Sequence, residues 1–226
     1  MISPSKIFEV FEEDNRGRKT LYTINFAPGT KVYDELLVVQ HNIEYRSWNH
    51  RKSKLAAAIL KGCPNTGIRK GSSVLYLGAA SGTTASHVSD MVGATGCVLA
   101  LDSAPRVVRE LVFVAETRKN MAPLLADANH PETYKEYLPE KVDIVYQDIA
   151  QRNQSEIFLK NCAAFLKKDG YALIAVKARS VDVAENPKEI FRRVRQEIAK
   201  ELVIIDERTL DPFEKDHMFF VCKKKN

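Results

Sequence analysis

The chain has 226 residues, 45% of them hydrophobic and 28% charged. That length and balance support a full core without disulfide or metal staples and exclude disorder for the bulk of the chain. The longest apolar runs, such as Leu173–Val176 and Val203–Ile205, are far too short to span a bilayer, and Met1–Phe11 carries Lys6 and Glu9 with no apolar signal-peptide stretch. Lysine and arginine total 34 against 29 acids, leaving +5, compatible with a nucleic-acid partner but too weak to establish one. The cysteines Cys63, Cys97, Cys162 and Cys222 stand at least thirty residues apart, without zinc or redox spacing. Cys97 and Cys222 lie in apolar strand-like runs, where a reduced thiol acts as a small buried hydrophobe. The expectation is a cytoplasmic protein with no metal site and no membrane contact.

The first fifty residues alternate at period two. Phe8–Glu12 and Lys19–Phe26 read as strands, with Asn15-Arg16-Gly17 as a hairpin turn and a third extended stretch over Leu36–Val39. Two or three short strands are marginal alone, so this small antiparallel β domain, residues 1–46, should pack on the rest. Residues 47–226 then alternate helix and strand. Helices are predicted over Lys52–Lys61, Thr83–Val92, Pro105–Thr117, Glu132–Leu138, Gln154–Lys167 and Pro187–Lys200. Strands are predicted over Ser73–Leu77, Cys97–Asp102, Ala122–Asp127, Val142–Asp148, Tyr171–Val176, Leu202–Thr209 and His217–Lys223. These strands are continuous apolar runs, as expected of a parallel sheet covered on both faces. Repeated βα units imply right-handed crossovers in a doubly wound α/β fold. The last two strands lack a helix between them and should form an antiparallel hairpin at one edge. This mostly parallel, seven-stranded, Rossmann-like arrangement resembles the class I methyltransferases.

Ligands of open α/β sheets bind beyond the carboxyl ends of the strands. The first strand of the main domain ends in Leu77-Gly78-Ala79-Ala80-Ser81-Gly82-Thr83-Thr84. Gly78 and Gly82 remove side chains where backbone must approach a ligand. Their spacing is not the Gly-x-Gly-x-x-Gly of dinucleotide sites, and a tight turn would explain the pair alone. Asp102, Asp127 and Asp148 end the next three strands. Each could be a helix N-cap by itself. Together they would repel a pyrophosphate and suit a phosphate-free ligand with sulfonium and ammonium groups. S-adenosylmethionine is such a ligand.

At this point the sequence resembles fibrillarin, in its short archaeal form, over nearly the whole chain. The residues that carry the likeness are Arg46-Ser47-Trp48-Asn49 with Ser53–Ile59, Leu77–Thr84, Ala126-Asp127-Ala128, Asp148–Gln151, Val176–Ser180 and Pro212–His217. Two positions depart from the family pattern: His50 stands where proline is common, and Asp102 where glutamate is. The resemblance implies an RNA ribose 2′-O-methyltransferase acting on rRNA and tRNA inside a box C/D guide-RNA particle. It implies as partners a Nop-domain scaffold protein and a kink-turn-binding ribosomal-type protein.

The family's catalytic set carries over as Lys54, Asp148, Lys177 and His217. By resemblance Lys177 accepts the hydroxyl proton, Asp148 holds Lys177 and the methyl end of the cofactor, and Lys54 and His217 place the ribose. Asp148 would favour the charged form of Lys177, whereas Lys54 and desolvation would oppose it, so the protonation state stays open on sequence grounds. The alternative for His217, which opens an apolar strand, is that it only satisfies a backbone carbonyl. In the cofactor site the Gly78–Thr84 loop, with Gly82, Thr83 and Thr84, would pass under the methionine moiety. Asp102 and Ser103 would take the ribose hydroxyls, Asp127 and Ala128 the adenine, and Asp148, Ile149, Ala150 and Gln151 the far side. The competing expectations are a nicotinamide-dependent oxidoreductase, disfavoured by the missing fingerprint, and a non-catalytic particle subunit, disfavoured by the intact catalytic set.

Overall fold

The computed structural model describes residues 1–225. Five short strands open the chain: β1 (Ser3–Pro4), β2 (Phe11–Asn15), β3 (Arg18–Ile24), β4 (Leu37–Gln40) and β5 (Ile43–Trp48). They form an antiparallel sheet in the order β1-β2-β3-β5-β4. Between β2 and β3 lie Arg16 and Gly17 at φ 54° and 84°, the mirror-image turn whose twist suits a hairpin. The Asp14 carboxylate accepts from the Gly17 amide at 2.7 Å. The strand expected from Phe8 begins only at Phe11, because the chain turns through Glu9 at φ 62°. Phe8 instead lies 3.7 Å from the Arg69 guanidinium.

The second part contains α1 (Lys54–Leu60), β6 (Ser73–Leu77), α2 (Thr83–Val92), β7 (Cys97–Asp102), α3 (Pro105–Glu116), β8 (Met121–Leu125) and β9 (Val142–Gln147). It continues with α4 (Gln154–Phe165), β10 (Leu166–Lys177), α5 (Ala178–Val181), α6 (Pro187–Glu201), β11 (Leu202–Thr209) and β12 (His217–Lys224). The sheet runs β11-β12-β10-β9-β6-β7-β8. Pairing is parallel from β10 to β8 and antiparallel at β10–β12 and β11–β12. The chain walks outward from β6 to β8, then returns to β9 beside β6. That reversal makes the crevice between β6 and β9 the switch point where a ligand is expected.

Alternate residues of each strand enter opposite layers of core. Val74, Tyr76, Ile144, Tyr146 and Phe219 pack with α1, α2 and the first sheet. Leu75, Leu77, Val145, Ile174 and Phe220 pack with α4 and α6 on the other face. With both faces buried, polar positions are scarce in the inner strands, whereas β11 at the sheet edge alternates buried and exposed residues and carries Asp206, Glu207 and Arg208. The helix expected over Glu132–Leu138 is a 3₁₀ helix over Pro131–Tyr137. Two expectations need correction: α4 stops at Phe165, with β10 starting at Leu166, and Cys97 is exposed, because it is the first residue of β7. No helix among the described residues is long and apolar enough to cross a membrane.

The two sheets meet through α2. Trp48, 2% exposed, stacks on His87 with ring centroids 4.7 Å apart. Below it the Arg46 guanidinium bonds Glu35 at 2.8 Å and Asp90 at 2.9 Å. The other Asp90 oxygen accepts from Arg118 at 2.6 Å. Two cations and two anions balance, and the remaining lone pairs are met by Thr23 and the Phe26, Val32 and Tyr33 amides. Arg46 also donates to Ser86 Oγ at 3.0 Å, whose hydroxyl donates to the Thr83 carbonyl at 2.9 Å. The first sheet thus grips the opening turn of α2.

Candidate active site

The β6–α2 loop crosses the switch point at close range. Gly78, at φ 82°, sits so near the Asp148 carbonyl that a Cβ there would lie 2.3 Å from its oxygen. Only glycine fits this crossing. Ala80 also has positive φ, 48°, and its amide donates to Asp102 Oδ2 at 2.9 Å. Asp102 Oδ1 accepts from the Ala104 amide at 3.0 Å, so the carboxylate at the end of β7 is held from both sides. Two residues past β8, Asp127 Oδ1 accepts from the amide and side chain of Asn129 at 2.9 Å and 3.0 Å. Those bonds hold its carboxyl below the usual carboxylate range.

These groups enclose a cleft of about 320 Å³, lined by Gly78, Ala80, Asp102, Asp127, Ala128 and Asp148, with Leu101, Ser103, Ile149, Ala150 and Gln151 completing the wall. Nine of the expected cofactor residues are in that wall. Gly82, Thr83 and Thr84 are not; they form the first turn of α2, where Gly82 at φ 95° packs on Leu111 and Thr84 is buried. A larger hollow of about 490 Å³ between α6 and the β11–β12 hairpin shares no lining residue with this cleft.

At the mouth of the cleft Asp148, one residue past β9, meets Lys54. Lys54 opens α1, capped by Ser53, whose hydroxyl accepts from the Ala56 amide. Its ammonium lies 3.0 Å from Asp148 Oδ1 and 3.1 Å from Oδ2. His217 opens β12, directly paired with Lys177 at the end of β10. The His217 Nδ1 donates to the Lys215 carbonyl at 2.7 Å, and among the described residues Nε2 has no hydrogen-bond partner. Burial pushes its pKa below the ordinary imidazole value, and Lys54 adds to the shift. Lys177 is exposed, and among the described residues its ammonium has no ion-pair partner. Asp148 therefore engages Lys54, where Lys177 was the expected partner.

The sequence matches the fibrillarin family over residues 2–226. The chain belongs to the fibrillarin family. A fibrillarin-like rRNA/tRNA 2′-O-methyltransferase of Pyrococcus abyssi is 47% identical over 211 residues, covering 93% of this chain and 92% of that one. The structure of Aeropyrum pernix fibrillarin, solved with natively bound S-adenosyl-L-methionine, superposes with a TM-score of 0.90 at 41% identity, covering 98% and 97% of the two chains. A fibrillarin/Nop5p complex gives 0.87 at 39% identity, covering 97% and 99%.

Within this family member, His50, the departure from the usual proline, packs on Phe213 with centroids 4.5 Å apart, bracing the loop that leads to His217. Two residues near the site are not marked by the sequence. Leu101 lines the cleft through its position on β7, which composition does not reveal. Gln154 is fully buried and bonds both backbone groups of Lys177. Its position at the start of a helix resembles any polar first-turn residue.

Proposed function

We propose that this chain moves a methyl group from S-adenosylmethionine to a ribose 2′-hydroxyl of rRNA or tRNA, as the catalytic subunit of a box C/D guide-RNA particle in the cytoplasm. The observation that carries the reading is the double membership of Asp148, which both lines the cleft and closes on Lys54. The cleft wall fits the cofactor: it offers three carboxylates and no basic side chain, which suits a cation without phosphate. Asp102 and Ser103 would hold the ribose, Asp127 and Ala128 the adenine, Asp148–Gln151 the far side, and Gly78 and Ala80 of the β6–α2 loop the methionine end. When bound, the cofactor supplies a methyl group on a positively charged sulfur, open to in-line attack.

The chain's own residues then orient the hydroxyl and move its proton. Lys54 and His217 border the approach, and orientation of this kind contributes roughly 7–11 kcal/mol. Lys177 takes the hydroxyl proton, and a positioned base adds about 10²–10⁴-fold. One observation favours a second acceptor: His217 Nδ1 is committed to the Lys215 carbonyl, burial disfavours the charged imidazole, and Nε2 has no hydrogen-bond partner among the described residues. In this reading the first sheet buttresses α2 and the chain from α1 onward carries the chemistry; β5 runs to Trp48 and so crosses the expected boundary between residues 46 and 47. The particle also requires a Nop-domain scaffold and a kink-turn-binding protein to present the guide and target RNA.

Calorimetry with S-adenosylmethionine and with NAD tests the first half; tight NAD binding without a response to S-adenosylmethionine overturns it. Methyl transfer by the assembled particle tests the second. Lys177→Ala is expected to lower turnover by orders of magnitude with cofactor affinity nearly unchanged. Wild-type turnover from Lys177→Ala, with loss in His217→Asn, moves the acceptor to His217.

A further inference from the structure

We propose that Gln154 is a positioning residue that sets the backbone of Lys177 against the strand end carrying Asp148; the inference rests on Lys177 as the proton acceptor. Gln154 begins α4 and is 0% exposed. Its Oε1 accepts from the Lys177 amide at 3.2 Å, and its Nε2 donates to the Lys177 carbonyl at 3.1 Å. One carboxamide thus engages both polar backbone groups of one residue. The Gln154 carbonyl in turn accepts from Gln147 Nε2 at 2.7 Å. Gln147, also 0% exposed, immediately precedes Asp148.

This line of two buried carboxamides stands where the sheet ladder stops. The parallel pairing of β9 with β10 ends at Gln147 and Ile174, so no ladder bond ties Lys177 to the β9 side. On its other edge Lys177 is paired with His217. Gln154 supplies the missing bonds across the splayed strand ends, between the two elements that bear Asp148 and Lys177. The chemistry demands a carboxamide. A carboxamide carries its donor and acceptor side by side in one uncharged planar head that does not change with pH, and glutamine has a longer reach than asparagine. An aliphatic residue would leave a buried N–H and C=O unpaired. The packing of α4 does not need this side chain, because Ile157, Phe158, Cys162 and Phe165 already fill its buried face.

The test uses the assembled particle with Gln154→Leu and Gln154→Asn, each alone and combined with Lys177→Ala. The Leu variant keeps volume and loses both bonds; the Asn variant keeps the head group and loses reach. Either is expected to lower kcat by about 10²-fold, the effect of an ångström-scale misplacement, with KM for RNA and Kd for S-adenosylmethionine within about twofold. In the Lys177→Ala background neither should cost anything further, since residues acting as one unit are non-additive. If the Leu variant does not fold, the Asn variant carries the same comparison. Wild-type kcat in the folded Gln154 variants, or a fully additive loss beside Lys177→Ala, overturns the role of Gln154 and leaves Lys177 standing. Wild-type turnover from Lys177→Ala overturns both assignments.

Discussion

Asp102 and Asp127 face the same cleft in different ways. Both oxygens of Asp102 are tied to backbone amides, of Ala80 and Ala104. Asp127 is tied through Oδ1, to Asn129, and among the described residues its Oδ2 has no partner. The Asn129 bonds hold it below the usual carboxylate range, so it is charged at neutral pH. Asp127→Ala is therefore expected to weaken S-adenosylmethionine binding by about 1–3 kcal/mol, the cost of a lost bond to a charged group, read by calorimetry. An unchanged affinity would remove Asp127 from the cofactor site. Gly78 carries a lesson at this scale. Its lack of a side chain reads in the sequence as room for a ligand, yet the space a Cβ would need is taken by the Asp148 carbonyl. The glycine brings the two loops of the site together, and a linear sequence does not reveal which neighbour a glycine makes way for.

Among the elements, the parallel strands and their acids were legible because burial makes the inner strands largely apolar runs, and β7, β8 and β9 each carry an aspartate at or just past the end. The β1 and β5 strands were not: Ser3–Pro4 is two residues long, and Ile43–Trp48 mixes Glu44, Arg46 and Ser47 with its apolar residues. The buried ionic cluster behind α2 was illegible for a different reason. Glu35, Arg46, Asp90 and Arg118 each look like surface charges, and only the fold gathers them. His87 sits among them, between Thr23 Oγ1 at 2.8 Å and Tyr33 OH at 2.7 Å. Burial, then Arg46 and Arg118, hold its pKa well below the ordinary 6.5. The sign follows from linkage: as pH falls through 6.5 the unfolded chain takes this proton first, so stability is full above that value and is lost below it. His217 shifts in the same direction. Denaturant midpoints measured from pH 8 to pH 5 should fall on the acid side, and His87→Gln should show a shallower fall. An equal slope in the variant would mean that His87 is not the group responsible.

Across the whole molecule, charge sets what the chain can do alone. The net +5 is small for 226 residues. The cations that look most available for RNA are largely paired: Arg192 with Glu189, Arg193 with Glu185 and Arg195 with Glu207. Among the described residues the exposed aromatics Phe8, Phe113 and Tyr137 lie on separate elements, without the clustered platform that stacks splayed bases. Phosphate attraction of this kind weakens steeply as salt rises. The isolated chain is therefore expected to bind S-adenosylmethionine normally yet transfer almost no methyl to a target oligonucleotide at physiological salt. Guide RNA, the Nop-domain scaffold and the kink-turn-binding protein should restore site-specific transfer, because they hold one ribose at the Lys54–Asp148 mouth of the cleft. Measuring transfer with the chain alone, with RNA only and with both proteins separates the contributions. Equal, site-specific activity from the chain alone would show that its own surface recognises RNA, and the paired arginines of α6 would be the first place to look for how.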